Sequence, residues 1–232
     1  MGLINAHTFT LGEFVDENAV NYAILSHRWQ TEEVSLQAFK ETYKVASRMR
    51  GYRKIVLSCK QAIADGYSYL WCNTCCIDKT SSAELSEAIN SMYLYYQAAA
   101  ECYVYLEDIE ADADDVLKTE AAIKASQWFT RGWTLQELLA LRRVVFYDMH
   151  WSFLSTQETL CSLLSMCTAI DERILFDEEP VTNRSIAQRM SWASRRSTQR
   201  REDLAYCLLG ISMLTCPCYT CLLYTSPSPR DS

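Results

Sequence analysis

The sequence predicts an α/β fold: a mostly parallel sheet with helices on both faces, followed by a helical C-terminal layer. Two observations support this prediction. Short apolar runs alternate with segments of helical periodicity over residues 1–150, which is typical of a parallel sheet covered by helices. Beyond Trp151 only helical patterns remain.

The elements of the first 150 residues follow from local patterns. Four apolar or aromatic runs have the length of buried strands. They span residues 22–26, 67–72, 102–106 and 144–147. Apolar residues recur at helical spacing over residues 53–64 and 83–100. The second of these helices begins at an N-cap, Ser81 or Ser82, with Glu84 in its first turn.

The chain divides into a core and an extension. Residues 1–150 are predicted to form the α/β core, and residues 151–213 a helical extension packed on that core. The predicted helices of the extension span residues 156–168, 185–197 and 203–211. With 232 residues in all, the chain has room for one large domain or two small ones.

Composition excludes several classes of protein. Lys+Arg 22 against Asp+Glu 29 give a net charge of −7, which argues against a nucleic acid partner. The six glycines are too far apart for a P-loop or a G-x-G-x-x-G turn. The N-terminus lacks a secretory signal, and Pro217 interrupts the uncharged stretch 204–229, so no membrane span is expected. The eleven cysteines lie mostly in apolar runs, as in a reduced, cytoplasmic protein.

Charge is segregated along the chain. Residues 101–120 contain eight acidic residues and one basic residue, whereas residues 184–201 contain six arginines and no acidic residue. Two interpretations stay open: both stretches are solvated surface, or the two meet, within the chain or between copies. The second interpretation predicts self-association that depends on Arg195 and Arg196.

Polar residues follow three of the predicted strands, at the edge where parallel α/β sheets bind their ligands. These residues are His27, Arg28, Trp29, Asn73, Asp78, Glu107 and Asp108. Of the three histidines, His27 is the one placed where general acid/base chemistry is expected.

The segment 128–138 is the most unusual in the chain. Trp133 and Glu137 are four residues apart at the start of a predicted helix, so the indole and the carboxylate share a face. An aromatic ring beside a carboxylate is suited to hold a planar ligand and to stabilise positive charge developing next to it. The alternative is structural: Trp128 and Trp133 anchor the core, and Glu137 pairs with Arg131 or Arg142.

Two groups of cysteines have the spacing of metal-ligand pairs. They are Cys72, Cys75 and Cys76, and Cys216, Cys218 and Cys221. Four thiolates from both groups would hold zinc in a zinc-binding adaptor. The first group lies at a strand end and the second in an irregular tail, so no metal ligand is assigned and the adaptor stays an alternative.

Three blocks of sequence, in this order, resemble the fungal heterokaryon incompatibility (HET) domain family. They are residues 22–29 (YAILSHRW), residues 69–93 (beginning YLWCNTCCIDK) and residues 131–139 (RGWTLQELL). A fourth stretch, residues 191–211, extends the resemblance to about residue 213. Asn73 stands where the family pattern often has Asp, and Arg28 and Gln30 replace the usual neighbours of Trp29. The pattern is lost in residues 214–232, which we interpret as a truncation or an assembly artefact.

This resemblance implies a cytoplasmic module that triggers programmed cell death when genetically different fungal cells fuse. Such domains often form the N-terminal part of longer chains. The expected mode of action is self-association, and the incompatibility partner is not identified by the sequence.

A more distant similarity concerns mechanism. The helix start Trp133-x-x-x-Glu137-Leu138 is similar to a motif of TIR domains, which are flavodoxin-like α/β modules and whose active members cleave NAD with the matching glutamate. The similarity implies that Glu137 stabilises an oxocarbenium-like transition state and that Trp133 flanks the nicotinamide riboside ring. It also implies that His27 and Arg28 contact the phosphates of the substrate. NAD would be a substrate, and no resident cofactor is expected. The implied substrate-binding residues are Ser26, Arg28, Trp29, Asn73, Asp78, Arg131 and Trp133.

Overall fold

A seven-stranded sheet lies at the centre of the fold. The computed structural model describes residues 1–41, 46–112, 115–200, 202–212 and 214. The strands are β1 (Gly2–Asn5), β2 (Leu11–Glu13), β3 (Ala23–His27), β4 (Tyr69–Cys72), β5 (Glu101–Tyr105), β6 (Val144–Tyr147) and β7 (Phe153–Thr156). Their order across the sheet is β2-β1-β4-β3-β5-β6-β7.

The centre of the sheet is parallel and its edges are antiparallel. Strands β4, β3, β5 and β6 pair in parallel. The β1–β2 hairpin and β7 add antiparallel strands at opposite edges. Among the four parallel strands, the first in the chain lies between the second and the third, which is the order of flavodoxin-like folds. The predicted α/β class is therefore confirmed.

Nine α-helices connect and cover these strands in the described ranges. They are α1 (Leu36–Glu41), α2 (Tyr52–Ala64), α3 (Ser82–Ala98), α4 (Val116–Ala125), α5 (Thr134–Leu139), α6 (Cys161–Thr168), α7 (Glu172–Leu175), α8 (Ile186–Ser191) and α9 (Asp203–Leu209). Two 3₁₀ helices within the same described ranges span Gln127–Thr130 and Val181–Asn183. Of the two predicted N-caps of α3, Ser81 is the one in the structure, because its side chain accepts a hydrogen bond from the backbone N–H of Glu84.

Helices cover both faces of the sheet, as predicted. On one face, the Tyr103 hydroxyl donates to Asp65 Oδ2 at the end of α2, with 2.6 Å between the oxygens. On the other face, the Trp71 ring packs against Tyr95 and Tyr96 of α3, with centroid separations of 5.7 and 5.9 Å. Every residue of β3 and β5 is buried, so the core lies on both sides of these two strands.

Two predictions about the sheet were wrong. The segment after Trp151 is not purely helical, because β7 pairs with β6 before α6 begins at Cys161. The hydroxyls of Thr156 and Thr159 lie 3.1 Å apart in the connection, a local side-chain interaction that competes with helix formation. The N-terminal hairpin was also missed, because strands of three and four residues leave almost no periodic signal.

The predicted helix over residues 185–197 is shorter in the structure. It starts at the Ser185 capping box and ends at Ser191. Further along, the backbone N–H of Ser197 donates to the Thr130 carbonyl at 2.7 Å, so a tertiary contact replaces the helical hydrogen bonds there. The extension therefore contacts the α/β part through a backbone pairing as well as through helix packing. The division of the chain at residue 150 stays a prediction.

Candidate functional site at the carboxyl edge of the sheet

The carboxyl end of β3 sends two predicted site residues to opposite faces of the sheet. Successive side chains of a strand alternate between faces. The Ser26 hydroxyl donates to Glu137 Oε2 of α5, whereas His27 lies toward α2, near Glu33 and Lys54. The sheet therefore separates Glu137 from His27, and the two do not form an acid/base pair in this structure.

Glu137 is the centre of a buried hydrogen-bonded group on the α5 face. Its side chain is only 1% exposed. Besides Ser26, the Tyr96 hydroxyl hydrogen-bonds this carboxylate. The Trp128 indole N–H donates to Ser26 Oγ at 2.9 Å. Burial raises the pKa of Glu137, although the Ser26 and Tyr96 hydrogen bonds and two nearby arginines oppose the rise. The acid is therefore biased toward its neutral form.

The prediction that Trp133 and Glu137 cooperate fits the structure only in part. Glu137 does lie at the carboxyl edge of the sheet, but Trp133 is half-buried and its indole hydrogen-bonds Asp203. The tryptophan that reaches the Glu137 group is Trp128. The structural alternative is also half right, because Trp128 is a buried anchor while Arg142 pairs with Asp177.

Two side chains fix the segment that leads into α5. Asp108 accepts hydrogen bonds from Ser126 Oγ at 2.8 Å and from the Gln127 backbone N–H at 2.7 Å. Arg196, which is 7% exposed, donates to the Arg131 carbonyl and to Thr134 Oγ1 at 3.0 and 2.9 Å. Burial lowers the pKa of Arg196 to about 10. These contacts explain how one loop brings both an indole and an acid to Ser26.

On the α2 face, His27 adjoins an ion pair. Lys54 Nζ lies 2.5 Å from Glu33 Oε1, and His27 Nε2 lies 3.7 Å from Glu33 Oε2. Burial and the charges of Lys54, Arg131 and Lys79 lower the pKa of His27 well below its ordinary value, so the ring is neutral at physiological pH. General acid/base chemistry by His27 stays a prediction.

Trp29 organises the solvent-facing part of the same edge. Its indole N–H donates to Asn73 Oδ1 at 3.0 Å, so these two predicted residues meet. Lys79 Nζ lies 3.7 Å from the ring centroid, and Arg131 Cζ lies 5.1 Å from it. Arg28 is exposed beside them. Lys79 was not predicted as a site residue, since a lone lysine after a strand has no pattern that distinguishes it from a solvated one.

Asp78 has a local structural role in this conformation. Its Oδ1 accepts hydrogen bonds from the Thr80 hydroxyl at 2.6 Å and from Gln37 Nε2 at 2.9 Å. Hydrogen bonds from Thr80 lower the pKa of Asp78. The carboxylate therefore closes the turn that precedes α3, and its predicted part in substrate binding stays a prediction.

The first cysteine group forms a buried cluster of thiols. Cys72 Sγ lies 3.1 Å from Thr74 Oγ1, and the Cys72 backbone N–H donates to Cys76 Sγ at 3.3 Å. Within the described part of the chain, no group of three or more His, Cys, Asp or Glu side chains has the arrangement of a metal site. The second group, Cys216, Cys218 and Cys221, lies outside the described residues.

The arginines of the run over residues 184–201 that the structure describes do not form a continuous surface patch. Arg189 and Arg196 are buried, at 8% and 7% exposure. Arg184 pairs with Asp171 and Glu179, with nitrogen–oxygen distances of 2.8 and 2.9 Å. The prediction that Arg196 belongs to a self-association surface was therefore wrong. Sequence periodicity did not reveal that its guanidinium donates hydrogen bonds to the residues at the start of α5.

Fold and site together define a class of protein, a flavodoxin-like α/β module. At the carboxyl edge of its sheet it has a buried acid, Glu137, and a cationic rim, which consists of Lys79 and Arg131 beside Trp29. The family described as "Heterokaryon incompatibility protein (HET)" matches residues 22–121. "Vegetative incompatibility protein HET-E-1" of Podospora anserina is 43% identical over 195 residues, which cover 82% of this chain and 14% of that protein. The chain therefore belongs to the heterokaryon incompatibility (HET) family, and the predicted resemblance is confirmed.

The chain spans about one seventh of the length of the Podospora protein it matches. No solved structure matches the chain, and the similarity to TIR domains stays a prediction. None of the described helices is long and apolar enough to cross a membrane.

Proposed function

We propose that this chain acts in heterokaryon incompatibility as a module that triggers cell death in fungal non-self recognition. The single observation behind this proposal is the 43% identity to a vegetative incompatibility protein over 195 residues. The identity extends well beyond the segment that the family profile matches, so it includes residues outside 22–121.

We further propose that the trigger is self-association of copies in the cytoplasm. The support is charge segregation on the surface that remains exposed. Arg195 and Arg200 are exposed within a stretch without acidic residues, and Glu107 and Glu110 are exposed within the acidic stretch. Opposite charges exposed in separate stretches of the chain favour association between copies, and salt should weaken it.

The test is induced expression of the chain in a filamentous fungus, with colony viability as the measurement. Wild-type protein should kill, and the double variant Arg195→Glu, Arg200→Glu should kill less and sediment more slowly at low salt. Lys124→Glu, at an exposed position on α4, is the matched control for a charge reversal. Full viability with wild-type protein would contradict the trigger, and unchanged killing by the double variant would contradict this surface.

A second candidate function is hydrolytic cleavage of NAD by Glu137. The observation that favours it is the buried acid at the switch point of the sheet, beside Ser26 and within reach of the Arg131 charge. The acid is 1% exposed, so cleavage requires a movement that opens a path to it.

Nicotinamide release by concentrated purified protein tests this candidate. Release is expected from wild-type protein and should be abolished by Glu137→Gln, which keeps the shape of the side chain. Glu87→Gln, at an exposed position on α3, is the matched control and should leave release unchanged. Absence of release from wild-type protein under assembling conditions would remove the enzymatic candidate.

A further inference from the structure

Helix α2 and the turn between β1 and β2 line an elongated cleft, the α2 cleft, with a volume of about 450 Å³. Tyr52, Val56 and Lys60 follow one another at intervals of four residues, so they share a face of the helix. From Tyr52 to Ile63, the helix extends about 16 Å at about 1.5 Å per residue. Ligand cavities in proteins have volumes of about 300–1,000 Å³, so the α2 cleft has room for a small, extended molecule.

The walls of the α2 cleft are mostly apolar. The apolar side chains of its described lining include Ala6, Phe9, Phe39, Ala46, Val56 and Ile63. Polar groups of the turn are already used, because Asn5 Oδ1 accepts the backbone N–H groups of His7 and Thr8. The Thr8 hydroxyl lies 2.7 Å from that of Thr10. A peptide would bury backbone N–H and C=O groups against these walls without partners, whereas a hydrocarbon chain has no such groups.

One lysine lies within this apolar lining. Among the lining residues that the structure describes, there is no carboxylate, and Lys60 is the only lysine or arginine. Its side chain is exposed and forms no ion pair within 4 Å in the described ranges. His7 is the other side chain of the lining that can carry a positive charge. The α2 cleft is therefore complementary to an apolar molecule with one anionic end.

The charge around the α2 cleft strengthens this preference. Residues 40–60 contain seven basic residues and one acidic residue, although the whole chain has a net charge of −7. Lys40 and Arg53 are exposed, and each directly follows a residue of the cleft lining in the sequence. A local excess of positive charge raises the concentration of anions near it.

We propose that the α2 cleft binds an aliphatic carboxylate, such as a fatty acid. Lys60 contacts the carboxylate, His7 offers a second N–H to it, and the hydrocarbon chain lies along α2 between Phe9, Phe39 and Val56. Burial of the chain contributes most of the affinity, and the charge of Lys60 selects an anionic end.

The α2 cleft is distinct from the candidate site at the carboxyl edge of the sheet. Its hairpin wall lies at the amino edge, because the Ala6 N–H donates to the Ser68 carbonyl immediately before β4 begins. None of its described lining residues belongs to the groups around Glu137 or Trp29. Binding there requires neither NAD cleavage nor self-association, so the proposal stands apart from both functions proposed above.

Isothermal titration calorimetry of the full chain tests the proposal, with decanoate as the probe below its micelle concentration. Decanoate should bind saturably at one site. 1-Decanol has the same chain without the charge and should bind at least about fivefold more weakly, and acetate, which lacks the chain, should not bind at the same concentrations. Unsaturable uptake, or equal affinity for decanoate and 1-decanol, would overturn the proposal.

Variants then locate the binding. Lys60→Gln should weaken the affinity for decanoate at least about fivefold and leave that for 1-decanol unchanged, because this exposed lysine contacts only the charged end. Lys124→Gln, at an exposed position on α4, is the matched control and should bind as wild type does. Val56→Phe should weaken both ligands, because the larger ring occupies part of the cleft. Unchanged affinity for decanoate in Lys60→Gln and in Val56→Phe would overturn the α2 cleft as the site.

A membrane surface is the other anionic partner that suits the basic residues around the cleft. Sedimentation of the chain with vesicles of phosphatidylcholine and phosphatidylserine distinguishes the two. Binding to these vesicles without binding of free decanoate would overturn the proposal, because the basic surface alone would then account for it. Saturable binding of decanoate without binding to the vesicles would support the α2 cleft as a site for a free fatty acid.

Discussion

Substitution of Glu137 by Gln should make the protein's stability less dependent on pH. An unfolded glutamate has a pKa near 4.5, and burial raises the pKa of Glu137 in the folded state. Between these two values the folded state binds more protons than the unfolded state, so the free energy of unfolding falls as pH rises. Each unit of difference costs about 1.4 kcal/mol once the acid is ionised. Glutamine resembles the neutral acid and does not titrate.

The difference in unfolding free energy between Glu137→Gln and wild type should change sign with pH. Near pH 4.5 the variant should be slightly less stable than wild type, by about 0.5–1.5 kcal/mol for the altered hydrogen bond from Ser26. As pH rises to 8, the stability of the variant relative to wild type should increase. Urea unfolding at several pH values, followed by tryptophan fluorescence, measures the difference, and equal m-values show that it is one of stability.

The opposite trend would refute this argument. If attraction to Arg131 and Arg196 outweighed burial, the pKa of Glu137 would be lowered, and removing the charge would leave a buried cation unpaired. The free energy of unfolding of the variant would then fall relative to wild type as pH rises, by about 3–5 kcal/mol. The exposed Glu87→Gln control should stay within about 0.5 kcal/mol of wild type throughout.

Two further substitutions test the packing that supports the site. Gly210→Ala should destabilise the protein by about 1–3 kcal/mol in urea unfolding, because the added Cβ would lie 2.3 Å from Tyr93 Cβ and force α9 away from α3. An unchanged midpoint would contradict that packing. Ser81→Ala should cost about 1 kcal/mol in thermal unfolding, because it removes the acceptor for the Glu84 N–H, whereas Ser82→Ala should cost less.

Much of the fold was predictable because it rests on local signals. The strand over Val144–Tyr147 was predicted to the residue, since a short β-branched and aromatic run favours few conformations other than a strand. The N-cap of α3 was predicted as Ser81 or Ser82 from the local sequence, and the structure has Ser81. The β1–β2 hairpin was not, because such short strands are stable only through pairing with β4, which no local pattern shows.

The candidate site was predictable in its members but not in its arrangement. Sequence order places Ser26 and His27 next to each other, and only the pleat of the sheet sends them to different faces. The burial of Glu137 depends on Trp128 and Tyr96, which are distant in sequence. Lys79 gains its significance from the Trp29 ring fifty residues earlier.

Arg131 connects the two faces that the sheet separates. Its charge acts on His27 on one side and on Glu137 on the other. The same charge disfavours the protonated form of His27 and favours the ionised form of Glu137, so it lowers the pKa of both buried groups from opposite sides of the sheet.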